Sequence, residues 1–251
     1  MDNDLVYKII KPGHALSDFV DSFWFLHNRS GTDKETTGLP DGRIDLSLFK
    51  SAQEPFRIAL LGVGTQYAQT TIPAYTLMFV ISFKLLAVEY ILQEPIPDIV
   101  NSGKILPAGF WDLNEDDLND FAIFCEKAAQ IIQSLLPKEM DPRKQQLFDL
   151  IYSSSGSITI KELAEKAFWS SRQINRYFTR QFGLSLKTYC SILRFRASLE
   201  HIAQGKLFPE EKFSDQTHFI KEIKKFSGVV PKELFKNKND RFILLSSLSP
   251  A

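Results

Sequence analysis

The chain has 251 residues, 44% of them apolar, which suffices for one large or two medium cores and excludes a mainly disordered protein. No run approaches the roughly 18 apolar residues of a membrane span, and the N-terminal MDNDLVYK lacks the basic-then-apolar order of a secretion signal, so a cytoplasmic protein with no membrane partner is expected. The formal net charge of zero hides an asymmetry: residues 1–140 carry 11 Lys and Arg against 19 Asp and Glu, a balance of −8, and residues 141–251 carry 19 against 11, a balance of +8.

A basic segment joined to an acidic one implies a polyanion partner for the first and a different task for the second. Cys125 and Cys190 are the only cysteines, and His14, His27, His201 and His218 are scattered. That distribution argues against a disulfide framework, structural zinc and a clustered metal site. No cofactor and no metal ligand are assigned.

From Val6 to about Gln93 the pattern is strand-like. Phe23 to Leu26 is a short apolar run, and the turn residues Leu39-Pro40-Asp41-Gly42 precede Ile44, Leu46 and Leu48, which alternate with Asp45 and Ser47. Phe56–Val63 and Tyr75–Leu86 are further β-branched and aromatic runs, so an antiparallel sheet or barrel is expected. Gly62-Val63-Gly64 lacks the third glycine and the following helix of a dinucleotide loop and reads as a strand end. There is no G-x-S-x-G elbow and no H-E-x-x-H helix, so no catalytic residue is assigned and the chain reads as a non-enzyme. Trp24, Arg43 and Trp111 could line a barrel interior but read as plain structure.

Asn114, followed by Glu115, Asp116 and Asp117, is expected to open a helix whose stripe is Leu118, Phe121, Cys125, Ala128, Ile132 and Leu135. Such a stripe either packs on the domain's own sheet or pairs with a second copy in a homodimer. Pro137 and Pro142 bracket a polar stretch where the charge balance changes sign, which sets a boundary between domains 1–138 and 139–251.

In the basic part, a helix over about 142–152 leads to two capping boxes, Thr159-x-x-Glu162 and Ser170-x-x-Gln173, which predict two short helices joined by a tight turn. In the second helix Ile174, Phe178 and Phe182 form the apolar face, leaving Arg172, Gln173, Asn175, Arg176, Thr179 and Arg180 outside it. Arginine grips guanine O6 and N7 with two hydrogen bonds, and an amide does the same to adenine, so this face suits a DNA major groove. Ser185 caps a helix to about Gln204 that is apolar on two sides, as a helix between two small lobes should be. A second lobe then follows over Phe213 to Phe235, with Ser214 as the expected cap and with Gln216, Thr217, His218 and Lys221 outward.

The segment from Ile158 to His201, followed by FSDQTHFIKEIKKFSGVVPKEL at 213–234, resembles the DNA-binding domain of AraC-type (AraC/XylS) bacterial transcription regulators. The resemblance covers about 110 residues and rests on the spacing that ends in F-x-x-x-F-G and on F-S-D-Q-x-H-F…K-K-F-x-G-x-x-P. It implies an α+β chain: a β-rich N-terminal domain with helices, then an all-helical domain with two helix-turn-helix lobes. It further implies promoter duplex DNA as the partner, contacted by Arg172, Gln173, Asn175, Arg176 and Arg180 in the first lobe and Gln216, Thr217, His218 and Lys221 in the second. RNA polymerase would be a partner if the chain activates, and by resemblance the P-D-G-x-I-D-L region would sense a small-molecule effector or mediate dimerisation.

The sequence departs from the family pattern at one place. Only KLFPEEK separates Gly205 from Phe213, where the family has a full helix, so the second lobe reads as shortened. The alternatives are a protein-interaction module with a degenerate second lobe, and an enzyme. Alkyl-transfer DNA repair proteins carry similar modules but need more cysteines than this chain has, and a cupin-like enzyme needs clustered histidines.

Overall fold

Among the described residues, eight strands precede the helical half of the chain. They are β1 (Leu5–Ile10), β2 (Val20–Asn28), β3 (Lys34–Gly38), β4 (Ile44–Lys50), β5 (Arg57–Leu61), β6 (Ala68–Ile72), β7 (Leu77–Phe83) and, after the five-residue helix α1 (Leu86–Tyr90), β8 (Gly103–Ile105). The structure is a computed structural model and describes residues 4–208, 213–237 and 241–246. The chain divides into two compact units, the first comprising Met1–Lys34, Arg43–Val63 and Thr71–Glu139, the second Glu35–Gly42, Gly64–Thr70 and Met140–Ala251.

In the first unit six strands form an antiparallel sheet of order β1-β2-β7-β4-β5-β8. Its register places Phe23 and Leu46 either side of Ile81, and Phe25 and Leu48 either side of Phe79. Alternate residues point to one face, and that face receives helix α2 (Phe121–Ser134), whose Phe121 ring meets Phe25 at 4.9 Å and Phe79 at 5.1 Å. Phe121, Phe124, Cys125, Ala128 and Ile132 are buried, so this stripe packs within the first unit.

The helix starts later than its sequence suggests. Asn114 caps only a single 3-10 turn over Glu115–Asn119, after which Asp120 is extended and its side chain accepts from the amides of Ala122 and Ile123. A second capping carboxylate in mid-segment thus breaks one expected helix into two. Gly62 ends β5 because its backbone runs against Ile99, whose carbonyl oxygen lies 2.1 Å from where a Cβ would stand. Trp24 donates to the Ser82 hydroxyl at 3.1 Å, and Arg43, paired with Asp21 at 2.8 Å, is likewise tied into the sheet.

The second unit holds α3 (Pro142–Ser153), α4 (Ile160–Lys166), α5 (Ser171–Phe182), α6 (Leu186–Ala203), α7 (Gln216–Ser227), α8 (Pro231–Lys236) and α9 (Ile243–Ser246). The two-stranded ribbon of β3 and β6 belongs largely with it: Thr37 donates its amide to the Arg241 carbonyl at 2.7 Å, and the Thr36 hydroxyl reaches the same oxygen at 2.8 Å. The fully buried Phe148 of α3 packs against Phe178 and Phe182 of α5, with ring centroids 5.9 and 6.1 Å apart. Burying each such ring is worth about 2–3 kcal/mol.

Helix α6 is buried along two sides, through Tyr189, Cys190 and Leu193 and through Ile192, Phe195, Leu199 and Ile202. It touches α5 and also α7, α8 and α9, so one helix serves two lobes. In the segment that makes the second lobe look short, Pro209 to Lys212 lie outside the described residues. Among the described residues no helix is long and apolar enough to cross a membrane.

Candidate nucleic-acid interface

The geometry of α5 is fixed at both ends. Its N-cap, Ser170, accepts from the amide of Gln173, while the Gln173 side chain accepts from the Ser170 amide at 3.0 Å and its hydroxyl at 2.7 Å. Gly183, at φ 72°, ends the helix and donates its backbone N–H to the Thr179 carbonyl. Helix α4 carries the matching box of Thr159 and Glu162, and the Glu162 carboxyl is held below its usual pKa by the Thr159 hydroxyl and amide. Four residues, 167–170, separate the two helices.

With Ile174, Phe178 and Phe182 fully buried, the rest of α5 is oriented outward. Arg172, Gln173, Arg176 and Arg180 are exposed, and α5 contains no acidic residue. Asn175 is half-buried, and its amide donates to the Ser171 carbonyl at 3.0 Å; Thr179 donates its hydroxyl to the Asn175 carbonyl. Gln173 is tied to the cap and Asn175 to the helix backbone, so the arginines are the groups most available to a ligand.

In the second lobe, Gln216, Thr217 and Lys221 are exposed along α7 and His218 is half-buried. His218 lies edge-on to Phe213 with ring centroids 5.7 Å apart, and its Nδ1 is 3.3 Å from the Ser214 hydroxyl. The cap is Asp215 rather than Ser214: its carboxylate accepts from the His218 amide at 2.8 Å, a bond that holds its pKa low. The carboxylate outcompetes the hydroxyl because a charge-assisted bond at a helix N-terminus is the stronger one. It also places a fixed anion where the first turn of α5 has none.

Sequence reasoning passed over a concave site on the flank of α5. Arg143 and Lys144, at the start of α3, face Arg176 and Arg180 across a pocket of about 300 Å³ floored by Trp169 and Tyr177. The Trp169 and Tyr177 rings meet at a tilt of 38° with centroids 5.3 Å apart, the Arg143 guanidinium lies over Trp169 at 5.4 Å, and the Lys144 ammonium lies over Tyr177 at 5.3 Å. The signal was the basic pair directly after the Asp141-Pro142 helix start, but its meaning depends on α3 packing beside α5.

Comparison with known proteins gives little sequence likeness. The model of a domain of unknown function, DUF6597, matches residues 8–103. No curated protein matches the chain significantly. Among solved structures the chain is similar to ToxT from Vibrio cholerae, with 11% identity, 93% of this chain and 98% of that one covered, and a TM-score of 0.45. ToxT from Vibrio cholerae O395 bound to (E)-4-(8-methylnaphthalen-1-yl)but-3-enoic acid is similar at 12% identity, with 97% and 100% covered and a TM-score of 0.43. Unsaturated fatty acid bound ToxT from strain SCE256 gives 10%, 100%, 99% and 0.38 for the same quantities.

Proposed function

We propose that the chain is a sequence-specific, non-enzymatic transcription regulator of the AraC type, binding promoter DNA through helix-turn-helix lobes, with α5 as the main recognition helix. The observation that carries this reading is the two-sidedness of α5: a fully buried aromatic and aliphatic face opposite an exposed face holding Arg172, Arg176 and Arg180 with no acidic residue. A helix of that kind, anchored by a capping box after a four-residue turn, has the dimensions and donors to enter a major groove. Arg172 and Arg176 read bases, and Asn175 joins them on releasing the Ser171 carbonyl. The second lobe, with Gln216, Thr217, His218 and Lys221, takes the next groove along the duplex and contributes less, because Asp215 repels phosphate. The first unit senses a small-molecule effector and biases how the lobes are presented.

Selection of duplexes from a random library by the purified full-length protein tests this. Enrichment of a motif, with two elements about one helical turn (~34 Å) apart if both lobes read bases, is the expected result. Arg176→Ala should cost about 1–3 kcal/mol at one base pair of the winning site and relax preference there. Negligible, salt-independent affinity for every duplex, with and without candidate effectors, would remove the reading in favour of a protein-interaction module.

A further inference from the structure

Phe168 is the most exposed of the large apolar side chains among the described residues, at 86%, and it stands in the turn between α4 and α5. Its neighbour Trp169 is also aromatic but is committed: that ring packs on Tyr177, with the Arg143 guanidinium over it. Phe168 is instead left in water. Its backbone is held on both sides, since its own amide donates to the Glu165 carbonyl at 3.4 Å, the Trp169 amide donates to the Ala164 carbonyl at 3.1 Å, and the Ser170 cap follows at once. The φ of 52° that results lies in the left-handed region, where glycine or asparagine sits readily and a bulky residue is an outlier.

Neither packing nor backbone geometry calls for a phenylalanine at 168. A strained residue that keeps an apolar ring in water points to something that binds the ring. Two observations identify the partner. The ring lies two residues ahead of the N-cap of α5, and it is the N-terminal part of a recognition helix that meets base edges in the major groove. From Lys166 to Phe182 the chain carries Lys166, Arg172, Arg176 and Arg180 and no acidic residue. Lys166 and the three arginines are exposed, so the surroundings of the ring suit a polyanion. The major groove of a duplex offers such a ring one apolar group, the C5-methyl of thymine.

We propose that Phe168 is a specificity-determining residue that reads a thymine: its ring packs on the C5-methyl group at the edge of the groove entered by α5, next to the base pair contacted by Arg172. This deepens the DNA-binding reading and rests on it. The two residues divide the work by chemistry. Arg172 recognises acceptors on a base edge, whereas Phe168 recognises a methyl group that cytosine lacks. The left-handed turn then has a purpose, because it turns this ring outward while Trp169 folds back on Tyr177.

The test uses the full-length protein and its selected duplex, in which each thymine is replaced in turn by deoxyuridine, a base that pairs alike but has no methyl group. The parent protein should lose about fourfold in affinity at one of these positions, the equivalent of one buried methyl group at roughly 0.8 kcal/mol. That position should adjoin the base pair at which Arg172→Ala relaxes preference. Phe168→Asn should bind the unmodified duplex about fourfold more weakly than the parent and show no further loss on the same replacement, while Phe168→Leu, still apolar, should keep a preference for thymine there. Both Phe168→Asn and Phe168→Gly should unfold at a temperature no lower than the parent. Affinity and stability would then move in opposite senses, which a merely structural role does not produce.

An equal response of parent and Phe168→Asn to every deoxyuridine, or a selected site with no thymine beside the Arg172 base pair, would overturn the proposal. Weaker binding of Phe168→Asn to selected and scrambled duplexes alike would overturn it in favour of a contact with the sugar-phosphate backbone. Undiminished DNA binding by Phe168→Asn and Phe168→Gly would overturn it in favour of a protein partner for the ring. Failure of the parent protein to bind any duplex sinks the regulator reading itself, and is recognised before any variant is made.

Discussion

The buried hydroxyl of Tyr189 donates to the carbonyl of Gly42 at 3.1 Å, joining α6 to a turn 147 residues earlier in the chain. With that proton committed, the Tyr152 hydroxyl of α3, 3.1 Å away, is the donor to Tyr189. Gly42 suits the place: its φ is 76°, and an added Cβ would stand 3.1 Å from both Tyr189 and Leu193. Tyr189→Phe keeps the ring and deletes both bonds. It should cost about 1–3 kcal/mol, the net worth of two such hydrogen bonds at about 0.5–1.5 kcal/mol each, read as a lower urea midpoint at unchanged slope. An unaltered midpoint would mean that the hydroxyl chain adds nothing to stability.

Phe168, in the turn between α4 and α5, is 86% exposed and has φ 52°. Left-handed backbone costs an L-residue about 1–2 kcal/mol, while glycine adds about 0.5–1 kcal/mol of backbone entropy to the unfolded chain. The first term is the larger and the exposed ring has little packing to lose. Phe168→Gly should therefore stabilise the protein, raising its Tm by a few degrees. A fall in Tm would show that the ring makes contacts in solution that offset the strain.

The two thiols supply a pH signature. Burial pushes Cys125 and Cys190 from 9.0 up to about 11. Above pH 9 the unfolded chain gives up these protons while the folded one keeps them, so their contribution to stability is complete below pH 9 and is lost as pH rises towards 11. For the more deeply buried Cys190 the loss by pH 11 is about 2 kcal/mol. Cys190→Ala should flatten the alkaline decline of stability relative to the parent protein. At neutral pH both thiols should react with an alkylating agent only once the protein is unfolded, and rapid modification of the native protein would contradict their burial.

How much of this was legible beforehand depended on whether the deciding interaction was local. The capping boxes at Thr159 and Ser170 are patterns within four residues, and both form as read. The alternation of Ile44, Leu46 and Leu48 likewise marked β4, all three being fully buried. The break at Asp120 was hidden because Asn114 and Asp120 are both good caps, and the sequence does not say which of them an α-helix uses. Asp215 was passed over for Ser214 for the same reason. The ribbon of β3 and β6 and the pocket of Arg143, Lys144, Arg176 and Arg180 depend on which elements become neighbours, and no local periodicity encodes that.

Gly156 makes the same point in a form that can be measured. It sits in the run Ser153-Ser154-Ser155-Gly156-Ser157, which reads only as a loop. In the fold its φ is 72°, a Cβ there would lie 2.4 Å from the Cys190 carbonyl oxygen and 2.9 Å from the Cys190 Cα, and its own carbonyl accepts from Arg194 at 2.9 Å. Gly109 has nearly the same φ, 74°, with nothing within 4 Å of the added Cβ. Gly109→Ala should therefore cost only the left-handed penalty, about 1–2 kcal/mol. Gly156→Ala carries that penalty plus a clash with backbone that cannot rotate away, so its cost should exceed about 3 kcal/mol. Equal losses from the two variants, measured by denaturant unfolding, would mean that α6 shifts freely away from residue 156 and that the close approach there does not hold α3 against α6.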